Sequence, residues 1–513
     1  MHTGEKLGRG LILGELLARN ARKYPHKCAL IIGQDQVTFG QLNHRVNQLA
    51  HCLSDWGLKK GQKVALLMDN CFEMMESYVA LWKLGAVAVP LNTRLAEAEL
   101  SYILNHSDAI LLLSQRNLLS RMEKIRKELS AIRGYVGVGM DLPSWVEPYE
   151  AFLKNRPEDE PLQDIEDGDE ACIMYTSGTT GRPKGAVMTH KNFFINALVS
   201  AMEYRIAFED CYLIPAPWFH MAGLAGVLEF WVVGATNATL THFDPVKMME
   251  TIHSAQATVA FGVPSMWFVI LALPNLGDYN AHALRYIFSG GAILPLEIKK
   301  RLQNQFPGVQ FFDIFGQTEM CPVTMMLKPK DYFDKQGSVG LPIATVEVKV
   351  VDDDDNEVKT GDVGEIVYRG PSVMKEYYKN PEGTKEAMRN GWFHGGDLVR
   401  RDDDGFIYVV DRKKDMIISG GENIYPAEIE EVLYSHPKVL EAAVIGVPDE
   451  RWGETVRAFV VLKENEEMLE EDLIEFCKLR LASFKKPRRI NFIKELPRNA
   501  AGKVLKQNLR SRP

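Results

Sequence analysis

The sequence predicts an α/β protein in which a large, multi-layered N-terminal domain of sheets and helices is followed by a small α+β domain. Three observations carry this. The chain has 513 residues, which at roughly 150 residues per domain leaves room for two to four. Hydrophobic residues at 46% and charged residues at 25% give the balance of a chain that buries a large core. Ahead of Asp411-Arg412-Lys413-Lys414-Asp415, helix-like apolar periods alternate with short apolar runs bounded by Gly, Pro and Asn, and beyond it the pattern changes.

Thr38 and Phe39 open a helical stretch to Trp56, and the run Lys63 to Met68 reads as a buried strand. A helix through Tyr78-Val79-Ala80-Leu81-Trp82 ends at Gly85, ahead of a strand from Ala86 to Pro90. Ala171-Cys172-Ile173-Met174 predicts another strand. Met221 to Leu240 is the most apolar stretch, yet Glu229 and its glycines fit buried core better than a membrane span. Near the end, Pro426 can start a helix whose Ile429, Val432 and Leu433 share a face, and Pro437 stops it. Strand-like runs follow at Leu440 to Val447 and Thr455 to Leu462. Leu469, Leu473, Cys477 and Leu481 at i, i+4 spacing predict a second helix, with Glu470, Glu471 and Asp472 at its positive end and Lys478 and Arg480 at its negative end.

A net charge of −8 argues against a protein whose task is to neutralise a nucleic-acid backbone. The charge is uneven. From Phe484 to Pro513 ten Lys and Arg stand against Glu495 alone, either a solvated basic face or a tail that meets phosphates. Seven cysteines, an odd number with no CxxC pair and no metal-ligand spacing, predict reduced thiols and a cytoplasmic setting. Met1-His2-Thr3-Gly4-Glu5-Lys6 lacks the design of a signal peptide.

The most informative segment is Tyr175-Thr176-Ser177-Gly178-Thr179-Thr180-Gly181-Arg182-Pro183-Lys184-Gly185. Its glycines allow close backbone approach, its hydroxyls supply donors, and successive N–H groups can form an anion-binding nest. It is not a Walker A loop, which needs Gly-Lys directly before Ser or Thr. Here Pro183 separates the lysine from Gly181.

This segment resembles the phosphate loop of the adenylate-forming superfamily of acyl-CoA synthetases, peptide-synthetase adenylation domains and luciferases. Further motifs recur in the family's order along nearly the whole chain: Pro217-Trp218-Phe219-His220, Ser289-Gly290-Gly291-Ala292, Phe315-Gly316-Gln317-Thr318-Glu319, Gly364 to Pro371, Trp392 to Asp397, Asp411 to Asp415 and Pro497 to Lys503. The resemblance implies activation of a carboxylate by attack on the α-phosphate of ATP, giving acyl-AMP and pyrophosphate, and then displacement of AMP by a thiol. It implies ATP or AMP contacts from Thr176, Ser177, Gly178, Thr179, Thr180, Gly181, Lys184, Gly290, Gly291, Ala292, Asp313, Phe315, Gly316, Thr318, Asp397, Arg412 and Lys503. Glu319 is a hard oxygen ligand suited to Mg²⁺, which the resemblance places with Thr176, and Thr318 can donate to the α-phosphate. Asp397 can accept from both ribose hydroxyls. Lys503 is implied to bridge the substrate carboxylate and the α-phosphate, and His220 joins Lys503, Thr318 and Glu319 in the catalytic set. Lys414 aligns with the family's hinge, so the expected division is residues 1–411, a hinge at 412–414 and a mobile domain at 415–513. Phe315 stands where the family has Tyr, and Gly395 and Asn499 where Thr is common.

Amino-acid-activating members place an Asp near Phe219 and His220. Here Trp218 to Gly226 holds no acid, and a buried ammonium without a counter-charge is costly. Ser419 to Glu430 resembles acyl-CoA synthetases, with Ser419, Gly420 and Gly421 along the CoA passage, and Ile418 and Asn423 point towards the fatty-acid branch. The acyl pocket is implied at His220, Met221, Ala222, Gly223, Gly262 and Val263, small and mostly apolar residues that suit a medium- to long-chain hydrophobic acid. An aryl- or alicyclic-acid CoA ligase, an acyl-AMP ligase that loads a carrier protein, luciferase-like oxidation and a non-catalytic nucleotide-binding scaffold are the alternatives. The expected partners are the acid, ATP and CoA, with no nucleic acid and no transmembrane segment. A homodimer and peripheral membrane contact through the basic tail are compatible with this reading.

Overall fold

Short runs rich in Val, Ile, Leu and Ala, such as Val87–Pro90, Val259–Gly262 and Val323–Leu327, are buried from end to end and form part of the two sheets of the larger unit. The computed structural model describes residues 10–161, 163–176, 183–420, 422–498 and 504–510. The chain divides into two units, Met1–Val348 with Tyr368–Phe393, and Lys349–Val367 with His394–Pro513.

Among the described residues, the first unit holds a nine-stranded and an eight-stranded sheet. In the nine-stranded sheet Gln310–Gly316, Tyr286–Gly290, Val259–Gly262, Cys211–Leu213, Thr236–Thr239 and Cys28–Ile32 run parallel as consecutive neighbours. Antiparallel strands Val323–Leu327 and Asp35–Thr38 flank this block. The eight-stranded sheet runs Glu376–Tyr377, Lys184–Thr189, Glu170–Thr176, Val87–Pro90, Lys63–Leu67, Ala109–Gln115, Gly134–Val138, Glu147–Pro148. Ala65, Val87, Leu112, Ile173 and Val187 share its core.

The expected helix after Thr38 is Phe39–Asp55, closed by a reciprocal cap. Thr38 Oγ1 accepts from Gln41 N–H at 3.2 Å and Gln41 Oε1 from Thr38 N–H at 2.9 Å. Met221 to Leu240 folds as the buried helix Met221–Trp231 and the strand Thr236–Thr239. No helix among the described residues is long and apolar enough to cross a membrane.

Glu229 lies buried on that helix, and burial pushes its carboxyl up to about 8. The folded state therefore holds it protonated between the ordinary value of 4.5 and about 8, where the unfolded chain has lost the proton. The unfolded state binds fewer protons across this window, so this group's contribution to stability falls as pH rises through it. Glu229→Gln removes that dependence. Measured by calorimetry, the Tm advantage of Glu229→Gln over the parent should widen from pH 5 to pH 8.5; an equal difference at both values would show that the carboxyl is not held protonated.

In the second unit the long hairpin of Val439–Asp449 and Gly453–Leu462 is joined by Arg489–Phe492, parallel to the latter, and by Ile417–Ser419 and Glu422–Ile424. Ile429 and Leu433 of helix Pro426–Tyr434, and Leu473 and Cys477 of helix Glu470–Lys478, pack with Val444 and Ala458 from this hairpin. The apolar stripe expected to run from Leu469 to Leu481 is shorter than its spacing predicts. Leu469 is the N-cap residue and 66% exposed, the helix stops at Lys478, and Leu481 and Arg480 fall beyond it. Nine residues give only two and a half turns, which bury Leu473 and Cys477, and Leu481, just past the helix, still packs half-buried against the same core.

Candidate active site

Four of the parallel strands, Gln310–Gly316, Tyr286–Gly290, Val259–Gly262 and Cys211–Leu213, are consecutive neighbours, and each ends in a segment singled out from the sequence. Gly316 leads to Thr318 and Glu319, Gly290 to Gly291 and Ala292, Gly262 to Val263, and Leu213 to Pro217-Trp218-Phe219-His220. The carboxyl ends of parallel strands are where open α/β sheets bind ligands.

The Glu319 turn is tightly built. A Cβ at Gly316 would lie 1.8 Å from the Pro322 carbonyl oxygen, so only glycine fits. Gln317 N–H donates to that carbonyl at 3.0 Å, and Thr318–Met320 form one 3₁₀ turn. Tyr377, from the edge strand of the eight-stranded sheet, donates its O–H to Glu319 Oε1 at 2.9 Å. Burial and the adjacent carboxylate push the Tyr377 hydroxyl up, which keeps it a donor. Tyr377 sits opposite Ala186 in the sheet, and the Lys184 ammonium lies 5.1 Å from its ring centroid. Lys184 is opposite Thr176 at the end of the antiparallel pair Glu170–Thr176 and Lys184–Thr189. Ser177, Gly178, Thr179, Thr180 and Gly181 lie outside the described residues; of the two strand ends that carry them, Lys184 lies against the Tyr377 ring and Thr176 is its partner one strand further in.

His220 is the N-cap residue of helix Met221–Trp231. The residue is exposed, yet the protein around its ring desolvates it enough to hold its pKa below the ordinary imidazole value. A Cβ at Gly223 would come within 2.2 Å of the Pro217 carbonyl oxygen, so glycine lets the first helical turn fold against the preceding chain. Asn70 holds this segment from below. Its Oδ1 accepts from Trp218 N–H at 2.8 Å, and its Nδ2 donates to the carbonyls of Ala216 at 3.2 Å and Leu240 at 3.0 Å. Met221 is buried, Ala222 half-buried, and Gly262 packs on the Trp267 ring.

Phe315 is half-buried on the strand that ends at Gly316, opposite Met325. Asp313, on the same strand, is buried and paired with the Lys299 ammonium. Burial pushes its carboxyl up while Lys299 pulls it down, and Oδ1 has no partner.

In the second unit Asp397 and Arg412 face each other across the antiparallel pair Trp392–Arg401 and Ile407–Arg412, with Arg412 Nε 2.6 Å from Asp397 Oδ1. Arg412 also donates to the Gly395 carbonyl at 3.3 Å. Glu365 organises the neighbouring turn: Oε1 accepts from Gly396 N–H at 3.2 Å and Oε2 from the Lys413 ammonium at 3.1 Å. Lys414 is exposed in the short turn Lys413–Asp415. Ser419 is opposite Glu422 and Gly453, and Gly420 N–H donates to the Trp452 carbonyl at 2.8 Å. Gly421 and Lys503 lie outside the described residues.

The basic tail is less positive than its composition suggests. Lys485 pairs with Glu428 at 2.7 Å, Lys506 with Glu430 at 2.8 Å and Arg498 with Glu441 at 2.5 Å. Arg489 and Arg510 stand 3.5 Å from Glu470 and Asp415. These acids come from earlier in the same unit, so a count along the tail alone overstates its field.

Sequence reasoning missed Tyr377 and Asn70. Tyr377 is 58 residues from Glu319 and Asn70 is 148 from Trp218, and neither carries a local pattern that announces its partner.

Comparison with known proteins shows the family. The profile of the AMP-binding enzyme family matches residues 17–378, and that of the AMP-binding enzyme C-terminal domain matches residues 428–503. The chain is 38% identical over 503 residues to a feruloyl-CoA synthase of Amycolatopsis, covering 98% of this chain and 99% of that protein. It is 36% identical to the long-chain-fatty-acid–CoA ligase FadD13 of Mycobacterium tuberculosis, covering 97% and 98% of the two chains. Among solved structures, the o-succinylbenzoate CoA synthetase MenE of Bacillus subtilis, in complex with ATP and magnesium ion, superposes with a TM-score of 0.86 at 32% identity, covering 97% of this chain and 99% of that one.

Proposed function

Since this chain belongs to the AMP-binding enzyme family, we propose roles for its residues and a class of acid for its pocket. It is an ATP-dependent, AMP-forming acid–thiol ligase that joins a carboxylic acid to CoA through acyl-AMP. We infer that the acid is hydrophobic and of medium to long chain.

Adenylation begins when a carboxylate oxygen attacks the α-phosphorus of ATP, and the bond to pyrophosphate breaks. Thr176 to Gly181 and Lys184 hold the β- and γ-phosphates with backbone N–H groups, hydroxyls and one ammonium. Thr318 donates to the α-phosphate, Lys503 offsets charge between it and the carboxylate, and Asp397 with Arg412 holds the ribose. Among the described residues no three His, Cys, Asp or Glu cluster as a metal cage. Glu319 offers one hard carboxylate beside the phosphate-binding strand ends, a donor set that fits Mg²⁺, which completes its shell with water and phosphate oxygens. Bound there, Mg²⁺ would supply positive charge to offset that of the phosphates. In the second half-reaction the CoA sulfur, arriving along Ser419, Gly420 and Gly421, attacks the acyl carbon and AMP leaves. Residues 412–414 are the proposed hinge between the two tasks.

The observation that supports this reading most is Tyr377, which bonds Glu319 and has at its ring the Lys184 ammonium, from the strand pair that ends at Thr176. For the acid, the support is a pocket segment without a carboxylate and the small residues Ala222, Gly223, Gly262 and Val263. A second reading, an aryl acid, is favoured by the feruloyl-CoA synthase at 38% identity. Pyrophosphate release measured with octanoate, palmitate, ferulate, benzoate and free amino acids separates these. Release with fatty acids and none with amino acids is expected; robust release with an amino acid would overturn the assignment, and selective release with ferulate would establish the second reading.

A further inference from the structure

Helix His190–Tyr204 carries two asparagines four residues apart, Asn192 and Asn196, on one face. Asn192 Oδ1 caps the helix by accepting from Thr189 N–H at 2.9 Å, and its Nδ2 donates to the carbonyls of Pro371 at 2.8 Å and Val373 at 2.9 Å. One turn further on, Asn196 is fully buried and donates to the carbonyls of Met320 at 3.3 Å and Val323 at 2.9 Å. These carbonyls belong to the two segments that meet on Glu319. Met374 N–H donates to the Glu319 carbonyl at 2.8 Å, and Tyr377 donates to its carboxylate.

We propose that Asn192 and Asn196 are positioning residues for Glu319, with the rigid helix setting the separation of the two segments that aim its carboxylate at Mg²⁺–ATP. This rests on the reading of Glu319 given above. The turn needs an outside anchor because Cys321 adopts a left-handed φ of 62°, a conformation disfavoured for any residue but glycine. The asparagine amide suits the task, since it offers two N–H donors to two carbonyls from one nitrogen. A helix supplies a firmer reference than a loop.

The test compares Asn196→Ala and Asn192→Ala in the parent and in a Glu319→Gln background. Pyrophosphate exchange is followed against Mg²⁺ concentration, and ATP binding is measured by calorimetry with and without Mg²⁺. In the parent, Asn196→Ala is expected to raise the half-saturating Mg²⁺ concentration and to weaken ATP binding in Mg²⁺ by about tenfold, the scale of losing a group that orients a metal ligand. ATP binding without Mg²⁺ should change by less than about twofold, and in the Glu319→Gln background the added loss should also stay below about twofold. An equal loss in both backgrounds would mean a general structural role and overturn the inference. If Asn196→Ala does not fold, Asn192→Ala and Asn196→Ser carry the same comparison. If Glu319→Gln alone leaves the Mg²⁺ response unchanged, the reading of Glu319 falls, and this inference with it. If it alters the response while Asn196→Ala still acts independently, only the inference falls.

Discussion

Lys503→Ala is expected to slow acyl-AMP formation on the order of 10²-fold or more, the scale of losing a positioned electrostatic stabiliser, while thioester formation from supplied acyl-AMP survives. The reason is a difference in charge between the half-reactions. Adenylation brings a carboxylate up to a phosphate, so two anions must approach, and an ammonium between them acts most strongly as the new bond forms. Thioester formation starts from a neutral acyl carbon and needs no such bridge. Single-turnover assays of the two steps read the split, and equal losses in both would contradict a role for Lys503 in adenylation alone.

Lys414→Pro should retain adenylation and lose thioester formation. Proline fixes φ near −65° and so removes the rotation proposed at residue 414. The turn Lys413–Asp415 is closed by Met416 N–H donating to the Arg412 carbonyl at 3.1 Å, and proline at 414 takes neither partner away. Lys414 is exposed, so the substitution opens no cavity. Acyl-CoA production at the parent rate would place the hinge elsewhere.

Sequence patterns carried the local structure well where one short stretch held all the information. Thr38 and Gln41 cap their helix across three residues, and Pro426 starts a helix whose Ile429 and Leu433 bury as their spacing predicts. Gly223 and Gly316 were marked by the resemblance, as pocket and nucleotide contacts; that chain passing within a few residues demands glycine at both is visible only in the folded structure. What stayed hidden depends on chain brought from far away. Tyr377 reaches Glu319, Asn196 reaches Met320 and Val323, and Asn70 reaches Trp218 only after two sheets and a helix have formed. The basic tail shows the converse error: Lys485, Arg498 and Lys506 look unopposed in their own segment and meet Glu428, Glu441 and Glu430 in the folded unit. Leu469 failed for a different reason. Periodicity marks a face but not where a helix ends.

The most direct test of the central claim is mass spectrometry of the products formed from a mixed pool of fatty, aryl, alicyclic and amino acids with ATP, Mg²⁺ and CoA. AMP, pyrophosphate and acyl-CoA thioesters drawn from the hydrophobic medium- and long-chain acids are expected, with the matching acyl-AMP accumulating when CoA is omitted. Thioesters of amino acids alone, or no acyl-AMP from any acid in the pool, would contradict the claim.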